Sequence, residues 1–268
     1  MTDRWRTAVS DLARCLRFYS RLPAPALPWE IEPHAVPDFR TMPRMLPIAG
    51  AVIGAVGAAA LIGSLALGLG NLVSAVVCVW SLTLATGAFH EDGLADAADG
   101  LGGGATPERR LEIMKDSRIG SYGASALCLA FALRIAALAA LADRTGWPAL
   151  AAAVVLTGAV SRTAALLLFG LVPPARSTGA AYVVGQPSGT TLGVACAIAA
   201  AIAVTLAWAT ALPLSGVALG MALAAGVAVG AARIGARLVG GHTGDIGGAA
   251  QQVSEVAMLL ALLIAVRP

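Results

Sequence analysis

The sequence predicts an all-α fold, a polytopic integral membrane helical bundle of about seven transmembrane helices with an active site on its cytoplasmic face. Three observations carry this. Of 268 residues, 58% are hydrophobic and 12% charged, and the mean hydropathy is +0.80, where a soluble domain carries about 25% charged residues. Apolar runs close to the ~20 residues that span a bilayer core recur along the chain. Lys and Arg are distributed very unevenly among the segments between those runs. Aromatics are few while Ala and Gly abound, which favours close packing of small-residue helices. The chain, 1–268, reads as one membrane domain.

The first element is amphipathic rather than spanning. Over residues 3–21, Trp5, Val9, Leu12, Leu16 and Tyr19 fall on one stripe, with Arg4, Arg6, Arg14, Arg17 and Arg21 mostly elsewhere. Such a helix would lie on an anionic membrane surface. No early apolar stretch reads as a signal peptide. Residues 22–47 are Pro-rich and read as a loop. Spans are then expected at 46–70, 71–89, 122–142, 148–171, 190–211, 214–232 and 246–266, the first two separated by a very short Gly-Asn link. With the N-terminus inside, the cytoplasmic segments 1–45, 90–121, 172–189 and 233–245 hold seven, four, one and two Lys or Arg. The other side holds only Arg144 and Arg267, and Arg134 and Arg162 lie within spans. This asymmetry puts the 90–121 loop and the Gly-rich 233–245 loop in the cytoplasm of a cell whose inner membrane the chain crosses. Cys15, Cys78, Cys128 and Cys196 are scattered and read as packing residues, because no spacing suggests zinc or a redox pair.

The chemistry concentrates in His90-Glu-Asp-Gly-Leu-Ala-Asp-Ala-Ala-Asp-Gly100. Four of the chain's 15 acids, Glu91, Asp92, Asp96 and Asp99, stand within nine residues. Clustered carboxylates repel one another and are costly beside lipid. A divalent cation offsets them, and oxygen-only ligands suit Mg²⁺ or Mn²⁺. In a helix, Asp92, Asp96 and Asp99 follow the i, i+4, i+7 rule and share a face, with Glu91 to one side. Gly93 leaves room for phosphate or metal, and Gly100 with Gly102, Gly103 and Gly104 ends the helix where backbone can approach a ligand. A solvated acidic helix would instead mix Lys among the acids, and none occurs between 90 and 108.

Two further segments add cations and a turn. Pro107-Glu108 starts a helix, after which Lys115, Asp116 and Arg118 precede Gly120 and Gly123. Lys115 and Arg118 can neutralise phosphate oxygens and Asp116 can join the cluster, while Arg109 and Arg110 read as surface cations. Gly240-Gly-His-Thr-Gly-Asp245 opens the last span. Asp245 can serve there as N-cap, and the turn, with His242 and Thr243, can equally receive a phosphate. His90 and His242 read as hydrogen-bonding groups. Arg162, an intramembrane charge near the cytoplasmic half, can bind phosphate from below. Glu255 is the acidic partner expected for Arg134 or Arg162.

Asp-rich metal sites with neighbouring Lys/Arg and Gly-rich turns equip phosphoryl or nucleotidyl transfer. One carboxylate can take a proton from an attacking hydroxyl. No GxSxG or Walker A arrangement competes, and nothing suggests nucleic acid.

His90 to Gly104, Arg110-Leu-Glu-Ile-Met-Lys-Asp-Ser-Arg-Ile-Gly120 and Gly241-His-Thr-Gly-Asp245 together resemble the cobalamin synthase family, the adenosylcobinamide-GDP ribazoletransferases. Phe18-Tyr-Ser-Arg-Leu-Pro-Ala-Pro25, Pro47 with Gly50 and Gly54, and Ser161-Arg162 extend the resemblance along nearly the whole chain. One departure is Gln251-Gln252, where that family often carries Glu. The resemblance implies a phosphotransferase for substituted phosphate groups in cobalamin biosynthesis. Adenosylcobinamide-GDP and α-ribazole, or its 5′-phosphate, would give adenosylcobalamin, or its 5′-phosphate, and GMP. On this reading Glu91, Asp92, Asp96 and Asp99 bind Mg²⁺ and the diphosphate. Asp116 and Asp245 are candidates for base or further metal roles, and Lys115, Arg118 and Arg162 hold phosphates. Membrane lipid and other cobalamin-assembly enzymes are the implied partners. A CDP-alcohol phosphatidyltransferase is the rival enzyme, but its DGxxAR and distal GxxxDxxxD are missing. A cation transporter is the rival non-enzyme, but it would place its acids near the bilayer midplane.

Overall fold

A backbone in hydrocarbon must satisfy its own N–H and C=O groups, so long apolar runs become helices. The computed structural model describes residues 2–33, 36–176 and 185–266. Among these, α1 covers Thr2–Tyr19, and a 3₁₀ turn at Met42–Met45 leads into α2, Leu46–Ala66. There follow α3 (Asn71–Thr86), α4 (Phe89–Gly103), α5 (Pro107–Ile113), α6 (Ser121–Arg144) and α7 (Trp147–Leu171). The chain ends with α8 (Gly189–Thr210), α9 (Leu214–Val239) and α10 (Gly244–Ala265). Six of these are long and apolar enough to cross a membrane, or seven if α3 and α4 count as one broken span. The protein is therefore a multi-pass membrane bundle.

Three expectations about the connections need correction. The span expected at 71–89 breaks: Gly87 (φ 66°) and Ala88 (φ 59°) are both left-handed, and the chain leaves α3 at 89° to form α4. Apolar composition runs through this point, so hydropathy alone does not show it. The expected acidic loop 90–121 is accordingly two helices, α4 and α5, joined by short turns. The expected 233–245 loop is helical through Val239, and only residues 240–243 lie between α9 and α10.

Short turns join α2 to α3, α6 to α7 and α8 to α9, and as spans these pairs alternate in direction. The starts of α2, α6, α8 and α10 and the ends of α3, α7 and α9 therefore share one end of the bundle. Arg144 closes α6 at the opposite end, and Arg267 lies outside the described residues. At the centre stands α7, with 83% of its apolar window buried, against 22–28% for the lipid-facing α6, α8 and α9. Small residues permit this density. Gly50 of α2 and Gly158 of α7 meet so closely that a Cβ on either would collide with the other's carbonyl oxygen.

The stripe expected to place α1 on lipid divides in two. Tyr19 and Cys15 are buried against Phe39, Met42 and Leu46, with Leu12 and Leu16 packed beside them, while Trp5 and Val9 remain exposed. Ion pairs tie α1 to the loop and 3₁₀ turn after it, Arg17 Nη2 to Glu30 Oε2 at 2.8 Å and Arg44 Nη2 to Asp11 Oδ2 at 2.7 Å. The protein thus uses the inner half of this helix as a wall.

Overpacking the α2–α7 crossing should be costly. Gly50→Val is expected to lower unfolding free energy in mixed micelles by about 1–3 kcal/mol or more. Gly63→Ala, where a Cβ meets nothing within 4 Å, should be neutral or stabilising by up to ~1 kcal/mol. Equal behaviour of the two variants would show that the crossing is not tight.

Candidate active site

The site grows from a second close crossing. Gly93 of α4 meets α10 so that an added Cβ would lie 3.1 Å from the Gly248 Cα and the Asp245 carbonyl oxygen. Backbone contact here sets Asp92 beside the first turn of α10, where Asp245 stands. Both carboxylates line a cavity of about 370 Å³, within the range for small-molecule sites. Asp96 is half-buried one turn along α4 and feels the negative charge of Asp92, Asp245 and Asp99. Gly93 does line the cavity, but what its missing side chain admits is another helix.

The four clustered acids divide by direction. Asp99 is buried and accepts two backbone hydrogen bonds at the start of α6, Oδ2 from Gly120 N at 2.7 Å and Oδ1 from Gly123 N at 2.9 Å. It satisfies orphan donors of a helix N-terminus. A Cβ at either glycine would strike this carboxylate, which accounts for the glycines flanking Tyr122. Glu91 faces the membrane interior. Its Oε1 pairs with Arg134 Nη1 at 3.1 Å, and Arg134 Nη2 pairs with Glu255 Oε1 at 2.8 Å. Glu255 is thus the partner of Arg134. Arg134 Nη1 also donates to Gln252 Oε1 (3.1 Å), Gln252 Nε2 to Gln251 Oε1 (3.0 Å), and Gln251 Nε2 to Glu255 Oε2 (2.7 Å) and Ser161 Oγ (3.0 Å). Gln251 and Gln252 are working members of this network.

Among the described residues no three His, Cys, Asp or Glu side chains converge into a group able to hold a metal ion alone. The cavity nonetheless presents hard oxygen donors from two helices, Asp92 and Asp245, while Asp96 is not among its lining residues; no Lys or Arg is ion-paired to any of the three among the described residues. That donor set fits a divalent cation whose remaining positions are filled by phosphate oxygens and water, the usual habit of Mg²⁺.

Arg162 reaches the cavity from α7. It is buried, donates from Nη1 to its own helix at Gly158 O (3.2 Å), has an unpartnered Nε, and forms no ion pair among the described residues. Arg176 lines the same cavity and donates to the Leu111 carbonyl. Sequence reasoning passed over Arg176, and also the ring wall formed by Phe18, Tyr19, Phe39, Phe89 and Phe169. These residues are far apart in the chain, and only Phe18-Tyr19 stood in a motif that drew notice.

At the opening of α10 the roles shift by two residues. Thr243, not Asp245, is the N-cap, its Oγ1 accepting from Ile246 N at 3.2 Å. The Asp245 carboxylate, in the first turn, accepts from the Thr243 side chain and its own backbone N–H while it lines the cavity. His242 is held by its backbone, which bridges to Pro173 and Ala175. Its ring packs edge-on to Phe169 at 4.8 Å and lines the cavity, and among the described residues neither buried ring nitrogen has a partner. Burial holds the imidazole down at about 4. His90 stacks parallel on Tyr19 at 6.0 Å.

The remaining predicted residues lie elsewhere. Asp116 and Arg118 form an exposed pair with each other, which holds the Asp116 carboxyl down at about 2. Neither they nor Lys115 line the cavity. Gly103 sits at the end of α4 near the Ile113 side chain, also outside the lining.

Comparison with known proteins fits this arrangement. A family model described as Cobalamin-5-phosphate synthase matches residues 11–263. A protein of Azorhizobium caulinodans named adenosylcobinamide-GDP ribazoletransferase is 45% identical over 260 residues, 97% of each chain. Proteins with the same name from Xanthobacter autotrophicus and Rhizobium etli are 47% and 42% identical, covering 95% of this chain and 96% of each relative. No solved structure matches the chain.

Arg134→Met should destabilise the protein in mixed micelles by about 3–5 kcal/mol, because two buried carboxylates lose their cation. Adding Glu91→Gln and Glu255→Gln should recover part of that loss, and no recovery would mean that Arg134 acts by packing alone. The buried neutral His242 imposes an acid sensitivity. The unfolded chain takes up a proton near pH 6.5 that the folded chain resists until about pH 4, so stability is full above 6.5 and falls between these values. In His242→Gln, an unfolding midpoint that varies less with pH across this window is expected.

Proposed function

The chain belongs to the cobalamin-5-phosphate synthase family, and from that premise we propose that it joins adenosylcobinamide-GDP to α-ribazole, or its 5′-phosphate. The products are adenosylcobalamin, or its 5′-phosphate, and GMP. The observation that carries this is the meeting of Asp92 and Asp245 at one cavity with the cations Arg162 and Arg176.

A ribazole hydroxyl attacks the phosphorus attached to cobinamide. The new P–O bond forms as the bond to the GMP oxygen breaks, and GMP leaves with the electron pair. Asp92 or Asp245 accepts the hydroxyl proton. Arg162, buried without a carboxylate partner among the described residues, supplies a fixed positive charge for phosphate oxygens in a site of low dielectric. Arg176 adds a second cation, and the first turn of α10 offers backbone N–H groups to an anion. Mg²⁺, which Asp92 and Asp245 would hold together with phosphate oxygens and water, would neutralise the diphosphate when bound. Glu91 and Asp99 fall outside this set because one is committed to Arg134 and the other to the α6 N-terminus. Lys115, Asp116, Arg118 and Gly103 fall outside the reacting centre for want of proximity.

The cytoplasmic side of the inner membrane is the natural location. The cavity lies at the bundle end where most Lys and Arg fall, as positive-inside orientation requires, and nucleotide substrates are cytoplasmic. Lipid and other enzymes of cobalamin assembly are the partners consistent with this setting.

Purified protein given Mg²⁺, adenosylcobinamide-GDP and α-ribazole should release GMP and corrinoid product in equal amounts, with activity lost in EDTA and restored by Mg²⁺. Asp92→Asn and Asp245→Asn should each lower kcat/KM by about 10²-fold or more, whereas Asp116→Asn should change it by less than roughly threefold. Undiminished turnover in Asp92→Asn would sink the assignment.

A further inference from the structure

The cavity wall carries more information than the phosphate chemistry uses. Tyr19, Phe39, Phe89, Leu166 and Phe169 come from α1, the loop after it, α4 and α7, and all face the cavity that Asp92 and Asp245 line. Phe89 meets Tyr19 edge-on at 5.7 Å, and Tyr19 lies beside Phe39 at 6.3 Å. An edge-to-face ring set of this kind presents flat apolar surface with few hydrogen-bonding groups.

Resting on the proposed transferase activity, we infer that this aromatic wall is the binding site for the base of α-ribazole, so that the nucleoside, not the corrinoid nucleotide, fills the cavity. The chemistry of the two substrates separates them. The base of α-ribazole is a flat dimethylbenzimidazole with no N–H or O–H on its edge and one free ring nitrogen. Guanine carries an amide and an amine whose donors and acceptors would be stranded against phenylalanines. The corrin ring, bordered by amides, would likewise set hydrogen-bonding groups against the phenylalanine faces. With the base against the rings, the ribose lies toward Asp92 and Asp245, where its hydroxyl meets the phosphorus. The corrinoid nucleotide then approaches from outside and contributes only its diphosphate.

The test compares the two KM values. Ala165 lines the cavity, and Ala165→Leu adds bulk there. The variant should raise KM for α-ribazole by about tenfold or more while KM for adenosylcobinamide-GDP moves by less than about twofold. A ribazole analogue lacking both methyl groups should recover part of the difference. A rise confined to adenosylcobinamide-GDP, an equal rise in both, or no rise in either overturns the inference. Should Ala165→Leu fail to fold, Phe89→Leu serves instead: loss of the ring should raise KM for α-ribazole roughly three- to tenfold, with the same selectivity. Absence of turnover in the wild-type protein would strike the transferase reading itself, a result distinct from wild-type turnover with the wrong KM pattern.

Discussion

Everything at the cavity depends on a buried cation shared by two carboxylates. Arg134 of α6 is almost fully buried and bridges Glu91 of α4 and Glu255 of α10. Three charges in so dry a place are tolerable only when mutually satisfied, and removing any one leaves the others stranded. The arrangement therefore selects one register of three helices. Once Glu91 is pinned, its neighbour Asp92 emerges toward α10, and α10 cannot rotate because Gln251 and Glu255 are engaged two and three turns from its start. The polar interior fixes the geometry of carboxylates that it does not contain.

Arg162 makes the contrast instructive. It lies near the same carboxylates, and Glu255 and Glu91 act on it electrostatically, yet it forms no ion pair with either. Two buried arginines thus divide the work. Arg134 is neutralised by the protein, and Arg162 is left for something that enters the cavity. At α10 the threonine hydroxyl of Thr243 is the N-cap, and the Asp245 carboxylate, though hydrogen-bonded in the first turn, has no ion-pair partner among the described residues.

Much of this was legible in the chain. The spans follow from hydropathy because each is a run of roughly the right length. The acidic stretch stood out because acids are rare in so apolar a protein. Helical periodicity placed Asp92 and Asp96 together, but it could not show that Asp99 would turn to the α6 amides or Glu91 to Arg134, since those partners lie 24 and 43 residues away. The break at Gly87-Ala88 escaped notice because an apolar sequence through a bend looks like one through a straight span. The ring wall escaped because its members are scattered from Tyr19 to Phe169, and no local spacing unites them. Lys115, Asp116 and Arg118 lie in a segment that carries the family resemblance, yet the fold leaves them outside the cavity lining.

The contact between Gly93 and Gly248 has a consequence for how change can be accommodated. Asp92 and Asp245 ride on backbones that touch, so the gap between them is fixed by the absence of two methyl groups. A side chain at either glycine would wedge the helices apart and widen that gap without altering a single acidic residue. Residues with no reactive atoms thereby act as the calipers of the site.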